Sequence, residues 1–441
     1  MLMKFALPTI VSMVFMSAFG IVDGIFVSRI IDAYALSAVG LVMPYLIFVL
    51  AVGIMFGTGG NALVAKEIGE GQPDLARKDF SLIVSVSFIL TGALSVVSLL
   101  FPDLILRILG VDAEVYDFAR EYMMPMLFFL PFISAGVMFQ QFLMTEGKAH
   151  LGMIATILGG GVNMVLNWLL IYRLQLGLRG AAIATCVGYS IPAMYGLLYF
   201  AGNRKGLLYF VRPKLRLRAL AHASLNGLSE MVSMMAMTIT TLFMNNILMD
   251  LEGPMAVAAA GIIFAMMSSI SSVFTGYASG IIPLISFNQG KQDKERLRKI
   301  FYESLWIISL MALGTMGLGW LLTDPFIGIY IKEPLLFLHG FYMLLPVYEM
   351  SFDGIRLISF GYIFMGINVF GSVLYTGLND GKTSGLLAFL RTFVFVIVTL
   401  IVLPAIWGVN GVWTAIPFAE VLSIPATVYF FISRRKVYHY A

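Results

Sequence analysis

The sequence predicts an all-α membrane protein with about twelve transmembrane helices, arranged as two pseudo-symmetric halves of six. Three observations carry this prediction. Of the 441 residues, 60% are hydrophobic and only 12% charged, against about 25% charged in soluble domains, and the mean hydropathy is +0.92. Charged residues and Gly, Pro and Asn clusters cut the chain into segments close to the ~20 apolar residues that cross a bilayer. Motifs of the first half recur in order in the second. This composition excludes a cytosolic enzyme, a disordered tail and a nucleic-acid binder. A single cysteine, Cys186, excludes a disulfide framework and a multi-cysteine metal site.

In order, the first half holds spans near 7–29, 37–65, 80–101, 121–144, 151–172 and 180–201. The first carries Asp23 and has no small-residue cleavage pattern after it, so it reads as a span and not a signal peptide. The second is rich in glycine (Gly53, Gly57, Gly59, Gly60), which permits close helix contact. The third follows Arg77 and Lys78, and the fourth contains Pro125 and Pro131, kinks that a membrane helix tolerates when neighbours satisfy the freed carbonyls. The fifth holds Gly159 to Gly161, Asn163 and Asn167; the sixth holds Thr185 and Pro192. The second half gives spans near 220–250, 256–286, 301–322, 354–377, 385–404 and 411–432. The stretch 323–353, broken by Pro325, Pro334 and Pro346, reads as an interfacial excursion.

Loop charge sets the orientation. With residue 1 inside, the inner segments hold Lys4, Lys66, Arg77, Lys78, Lys148, the basic residues from Arg204 to Arg218 and from Lys291 to Lys299, Lys382, Arg391 and Arg434 to Lys436. That leaves only Arg29, Arg107, Arg120, Arg173, Arg179, Lys332 and Arg356 outside, of 28 Lys and Arg in all. Both termini are therefore expected in the cytoplasm. The sequence pI of 8.9 is topology signal, not a nucleic-acid patch.

The basic stretch Asn203 to Arg218 divides the chain into residues 1–202, a linker 203–219, and residues 220–441. Ala35-Leu-Ser-Ala-Val-Gly40 recurs as Ala256-Val-Ala-Ala-Ala-Gly261. Gly71-Gln-Pro-Asp resembles Gly290-Lys-Gln-Asp, Gly147-Lys148 recurs as Gly381-Lys382, and Gly177-x-x-Gly180 as Gly408-x-x-Gly411. Six spans per half make the repeat parallel, with the substrate path expected between the halves.

An ionisable group at membrane depth is expensive, and so is a functional candidate. Asp23 lies midway along the first span with no charged neighbour within a helical turn. Asn163 and Asn167, four residues apart, share a helix face, and Thr185 sits early in the sixth span. One carboxylate, two amides and a hydroxyl would form an oxygen-lined pocket suited to Na⁺, by extension of the hard-cation rule. A desolvated Asp23 serves equally as a proton carrier, and the asparagines serve equally as interhelical glue. Glu230 in the seventh span is either a cavity-lining acid or the partner of a basic loop residue; Glu420 in the twelfth is a weaker candidate. No P-loop, HExxH or GxSxG occurs, so no enzyme and no cofactor is expected; energy would come from an ion or solute gradient.

These motifs resemble the multidrug and toxic compound extrusion (MATE) family over essentially the whole chain. The resemblance rests on Pro8, Val22-Asp-Gly-Ile-Phe-Val27, Ala35 to Gly40, Pro44, the Gly-Glu-Gly-Gln segment, Asn163-x-x-x-Asn167 and Gly177-x-x-Gly180-Ala-Ala-x-Ala-Thr185. Arg356-x-Ile-Ser, Gly366 and Gly411-Val-Trp413 are similar to the subgroup of the bacterial MepA and DinF-type exporters. The resemblance implies a V-shaped pair of six-helix lobes in the cell membrane. It implies export of small amphipathic, cationic compounds in exchange for Na⁺ or H⁺, acting as a monomer without nucleic acid. The family's cation site falls on Asp23, Asn163, Asn167 and Thr185, with Glu230 as a C-lobe acid by analogy to another branch. Asn167 departs from the aspartate common in this subgroup, leaving Asp23 as the expected sole carboxylate. A lipid-linked saccharide flippase of the same superfamily and a channel are the alternatives.

Overall fold

The computed structural model describes residues 2–30, 33–331 and 344–441, with the side chains of all of these except 25–30, 33, 34, 36, 37 and 344. The chain forms α1 (Leu2–Ile30), α2 (Ala33–Gly69), α3 (Pro73–Leu100), α4 (Pro102–Ile108), α5 (Tyr116–Thr145), α6 (Ala149–Asn167, continued by a π-turn Trp168–Arg173) and α7 (Gly177–Gly202). After the linker come α8 (Leu217–Glu252), α9 (Pro254–Gly290), α10 (Lys294–Leu321), α11 (Thr323–Tyr330), α12 (Leu344–Ser359) and α13 (Tyr362–Gly377). The chain ends in α14 (Gly381–Phe389), a π-turn Leu390–Val394, α15 (Phe395–Trp407) and α16 (Val409–Tyr438). No strand occurs among the described residues. Eleven helical stretches are long and apolar enough to cross a membrane, and α12 with α13, bent by 53° at their junction, makes twelve. An all-helical chain is what hydrocarbon demands, since every backbone group must be satisfied within its own segment.

Helix ends follow local chemistry. Prolines sit in the first turn of α3, α4 and α9, where a missing N–H costs nothing. Asp293 and Asp380 cap α10 and α14 by accepting from the amides of Arg296 and Thr383.

The repeat is visible in the element bounds. α2 and α9 begin 221 residues apart and end 221 apart, as do α3 and α10. From α5 onward the offset is 232: α5 and α13 end at 145 and 377, α6 and α14 begin at 149 and 381, and α7 and α16 at 177 and 409. This register corrects two sequence matches. Gly71 corresponds to Gln292 and not to Gly290, and Gly147 to Asn379 and not to Gly381; all four adopt a left-handed backbone, φ 77° and 58°, 74° and 57°, so a glutamine and an asparagine perform the glycines' turns.

Three further expectations change. α12 starts ten residues before the expected tenth span, because Pro346 falls in its first turn, where proline is tolerated; of the proposed excursion, 332–343 lies outside the described residues, with Lys332 and Pro334, as does the side chain of Arg29. α8 starts at Leu217, so the last three linker residues are helical. Arg391, counted as a loop charge, lies well inside the span Gly381–Trp407.

Among the described residues the hydrophobic core forms four clusters, and three of them cross the halves, one through Ala62 of α2 alone. Leu2 and Ala6 of α1 pack with Tyr277, Phe301, Phe370 and Tyr440 of the second half. Ala219 and Ala223 of α8 pack with Phe80, Phe142 and Phe200 of the first. Each half thus lends the start of its first helix to the other, on the face that carries both termini. Glycines make the seam close: a Cβ on Gly59 would lie 1.9 Å from the Ala223 carbonyl, one on Gly227 1.8 Å from that of Met55, and one on Gly280 2.9 Å from Cα of Ala6. Gly59 and Gly280 are 221 apart, so the two seams, α2 on α8 and α9 on α1, are copies. Toward the opposite face α1 and α9 part, leaving a cleft of about 800 Å³.

Candidate functional site

Asp23 is half-buried on α1, facing α6 and α7. Asn167 Nδ2 donates to its Oδ1 at 2.5 Å, while Thr185 Oγ1 and Asn163 Nδ2 donate to its Oδ2 at 3.3 and 3.5 Å. Asn163 Nδ2 also reaches Thr185 Oγ1 at 3.4 Å, and Asn167 Nδ2 reaches Asn163 Oδ1 at 3.3 Å. The 3.6-residue period explains the arrangement, since Asn163 and Asn167 stand one turn apart on α6 and meet one carboxylate together. Asn163, Asn167 and Thr185 are 5%, 1% and 8% exposed, so the carboxylate is held by protein donors in place of water. Asn167 Oδ1 has no hydrogen-bond partner, and an amide turned over offers that oxygen to a cation instead of its NH₂. The four residues singled out by polarity are thus brought into one contact network.

Beside it lies a pocket of about 40 Å³ lined by Asp23, Phe19, Gln140, Asn163, Tyr189 and four glycines, Gly136, Gly159, Gly160 and Gly188. At about 10–15 Å³ per enclosed water, it holds about three or four waters or one small ion, and no drug-sized molecule. The glycines let the helices close up: a Cβ on Gly159 would lie 2.4 Å from the Gly188 carbonyl, and one on Gly188 2.7 Å from Asn163 Cβ.

The second half places its polarity elsewhere. Glu420 is 6% exposed; it accepts from Asn368 Nδ2 at 2.7 Å and pairs with Arg391 Nη1 at 3.5 Å. Thr427 donates to Asn368 Oδ1 at 2.9 Å. At the offset of 232, Asn368, Arg391 and Glu420 are the counterparts of Gly136, Gly159 and Gly188. Side chains in one half fill the space that is a pocket in the other. Glu230 joins neither group: it is half-buried on α8 and makes no hydrogen bond or ion pair among the described residues.

Sequence reading missed Arg391 and Asn368, and it missed a triad on the terminus-bearing face. There Arg216 bridges Glu67, at 3.3 Å, and Asp79. The clue was available in part: Asp79 is one residue before the expected third span, yet α3 begins at Pro73 and carries it fully buried. Cys186 is buried, its thiol against Met126 Sδ, as a packed apolar residue. No cluster of three or more His, Cys, Asp or Glu that could hold a metal occurs among the described residues.

The larger cleft is lined by Met16, Ser17, Gly20, Ile21 and Gly24 of α1, by Val257, Ala258, Gly261, Ile262, Ala265 and Ser268 of α9, and by Ile329 and Tyr330. None of these is charged, and the volume lies within the ~300–1,000 Å³ of small-molecule sites.

The MatE family model matches residues 8–169 and 230–402. The multidrug export protein MepA of Staphylococcus haemolyticus (strain JCSC1435) is 23% identical over 420 residues, which cover 95% of this chain and 90% of that protein. MepA of Staphylococcus aureus (strain MRSA252) is 24% identical over 429 residues, covering 96% and 90%. A solved structure described as the outward-facing conformation of a multidrug resistance MATE family transporter of the MOP superfamily superposes with a TM-score of 0.91 at 20% identity, covering 100% of this chain and 96% of that one.

Proposed function

This chain belongs to the MatE family of transporters, and from that premise we propose that it is an antiporter that exports amphipathic, cationic compounds in exchange for Na⁺ or H⁺. It acts as a monomer in the cell membrane with both termini in the cytoplasm. The observation that carries the reading is the double use of one stretch of α1. Between Met16 and Gly24 this helix presents Phe19 and Asp23 to the small pocket and Ser17, Gly20, Ile21 and Gly24 to the cleft, with Met16 bordering both. Size assigns the ligands: the small pocket takes the ion, the cleft the exported compound.

Asp23 is the carboxylate that receives Na⁺ or the proton. Asn163, Asn167 and Thr185 hold it oriented, and turned amides supply oxygens to Na⁺. An occupied site changes how α1 is held against α6 and α7, and the cleft wall moves with it. Coupling follows when ion and compound prefer different positions of α1, since a ligand that binds both states equally shifts nothing. The apolar lining gives forgiving contacts. Away from the Arg216 triad, the membrane-depth acids Asp23, Glu230 and Glu420 outnumber Arg391, which favours cationic cargo over the anionic lipid-linked saccharide of a flippase. The seam of glycine contacts closes the cleft on one face, an arrangement of alternating access and not of an open channel.

The test is efflux of a cationic dye from vesicles containing the purified protein, under separate Na⁺ and H⁺ gradients. Gradient-driven, saturable efflux is expected. Dye flux that ignores both gradients overturns the antiport reading.

A further inference from the structure

The linker between the halves is not a loose tether. Glu146 accepts from the amides of Leu207 and Leu208 at 3.0 and 2.8 Å. Arg77 Nε donates to the Leu207 carbonyl at 3.0 Å, and its guanidinium lies 4.5 Å from the ring centre of Tyr209. Phe210 stacks on Phe80, with ring centres 5.2 Å apart, and the Val211 amide donates to Ser81 Oγ at 3.0 Å. Residues 207–211 are therefore strapped to the first half. Arg212 to Leu215 are exposed and give four residues of slack. Arg216 then caps the start of α8, the first helix of the second half, while its guanidinium reaches back to Glu67 of α2 and Asp79 of α3.

Two facts about this triad go together. One cation faces two carboxyl groups. Glu67 and Asp79 are 5% and 0% exposed, and Glu67 Oε2 and Asp79 Oδ1 are buried with no hydrogen-bond partner. We propose that Glu67, Asp79 and Arg216 form a proton-binding latch: Arg216 holds the terminus-bearing face closed, and its withdrawal makes the two acids take up a proton. When the second half swings out on this face, α8 leaves α2 at the Gly59–Gly227 contact, and Arg216 moves with the first turn of α8. Glu67 and Asp79 stay behind on α2 and α3. Two neighbouring buried carboxyls cannot both remain ionised without their cation, so opening binds a proton whether or not Asp23 does. Opening of this face is thereby favoured at low pH.

The other charged groups on the surrounding elements have their own places. Lys66 pairs with Glu70 on α2 at 3.9 Å, and Asp74 with Arg77 on α3 at 2.9 Å. Glu146 of the α5–α6 turn is bonded to the strap. Lys78 lies on α3, Lys148 on the α5–α6 turn, Arg204, Lys205, Arg212 and Lys214 on the linker, and Arg218 and His222 on α8, with His222 Nδ1 buried and without a hydrogen-bond partner among the described residues.

The latch rests on the alternating-access reading, and its test needs neither substrate nor gradient. Spin labels at Gln72→Cys and Gln292→Cys, the exposed turns that follow α2 and α9, report opening of this face in lipid nanodiscs, in a Cys186→Ala, Asp23→Asn background that removes the native thiol and the N-terminal carboxyl. The background protein should show a mainly short distance at pH 8 and a larger long-distance fraction at pH 5. Arg216→Gln should raise the open-to-closed ratio at pH 8 at least fivefold. Glu67→Gln/Asp79→Asn/Arg216→Gln, which strands no charge and so folds, should lose the pH dependence. Distances in Arg216→Gln that superpose on the background at both pH values, or a triple variant that keeps the background's pH response, overturn the latch and leave dye efflux untouched. Absence of gradient-driven efflux with the expected distance changes overturns antiport and leaves the latch standing.

Discussion

Asp23→Asn removes one charge and almost no volume, which makes it the cleanest probe of coupling. In the parent, three donors converge on the carboxylate, the shortest from Asn167 at 2.5 Å. Bonds to a charged acceptor are worth about 1.5–3 kcal/mol against about 1 for neutral ones, so the amide weakens the network. The variant also no longer holds a charge away from water. These opposing terms leave folding stability within about 2 kcal/mol of the parent, so the protein should still be purified and bind dye. Ion binding behaves differently. Taking one partner from a buried charge pair costs about 3–5 kcal/mol, a loss of about a hundredfold or more in ion affinity. Moving a two-state equilibrium from 1:99 to 99:1 takes about 5.5 kcal/mol of differential binding. A site that loses 3 or more of these no longer switches the protein. We expect dye binding by fluorescence anisotropy to stay within about threefold of the parent, and initial gradient-driven efflux from vesicles to fall at least fiftyfold. Efflux within twofold of the parent under both gradients would refute the role of Asp23, and with it the assignment of the small pocket to the ion.

Asn167→Asp adds a second carboxyl against Asp23, and two such neighbours do not both ionise without a cation; the variant should carry one more cation per cycle, read as a shift in the membrane voltage at which dye flux reverses. Gly261→Trp projects into open space, since nothing lies within 4 Å of a Cβ there; dye affinity should fall at least tenfold while Na⁺ or H⁺ binding to the small pocket is unchanged. Arg391→Ala strands buried Glu420 and should cost about 3–5 kcal/mol, seen as a lower unfolding temperature, whereas Asn368→Leu/Arg391→Met/Glu420→Met replaces all three groups by apolar ones of similar volume and should cost less. Burial of Glu146 holds its carboxyl above the ordinary 4.5, so the docked strap binds more protons than the free one. Docking should therefore weaken as pH rises upward from 4.5, with faster proteolysis at Arg204 and Lys205, and Glu146→Gln should flatten that dependence.

The sequence carries most of this fold because hydrocarbon leaves few choices: apolar length fixes the spans, and scarce polar groups mark the interior. Asp23, Asn163, Asn167 and Thr185 were legible because each breaks an apolar run, and a one-turn spacing joins two of them. What stayed hidden depends on pairing across distant segments. Arg391 resembles a loop charge until Glu420, twenty-nine positions on, is seen beside it. Asp79 and Glu67 resemble solvated span ends until Arg216 closes over them. Pro346 reads as a breaker unless its place in a first turn is known. Glu230, by contrast, was equally visible in sequence, and the fold gives it no hydrogen-bond or ion-pair partner among the described residues.

Three of the glycines beside Asp23, Gly136, Gly159 and Gly188, and their polar counterparts Asn368, Arg391 and Glu420 bear on how such a chain diverges after duplication. One half carries bare backbone and an open pocket; the other carries an amide, a guanidinium and a carboxylate that satisfy one another. Losing any one of these strands a buried charge or donor, so stepwise reversal to glycine passes through unstable intermediates. The copies are locked apart by mutual dependence, a ratchet made of hydrogen bonds. A site transplanted from the first half to the second would have to replace all three residues together.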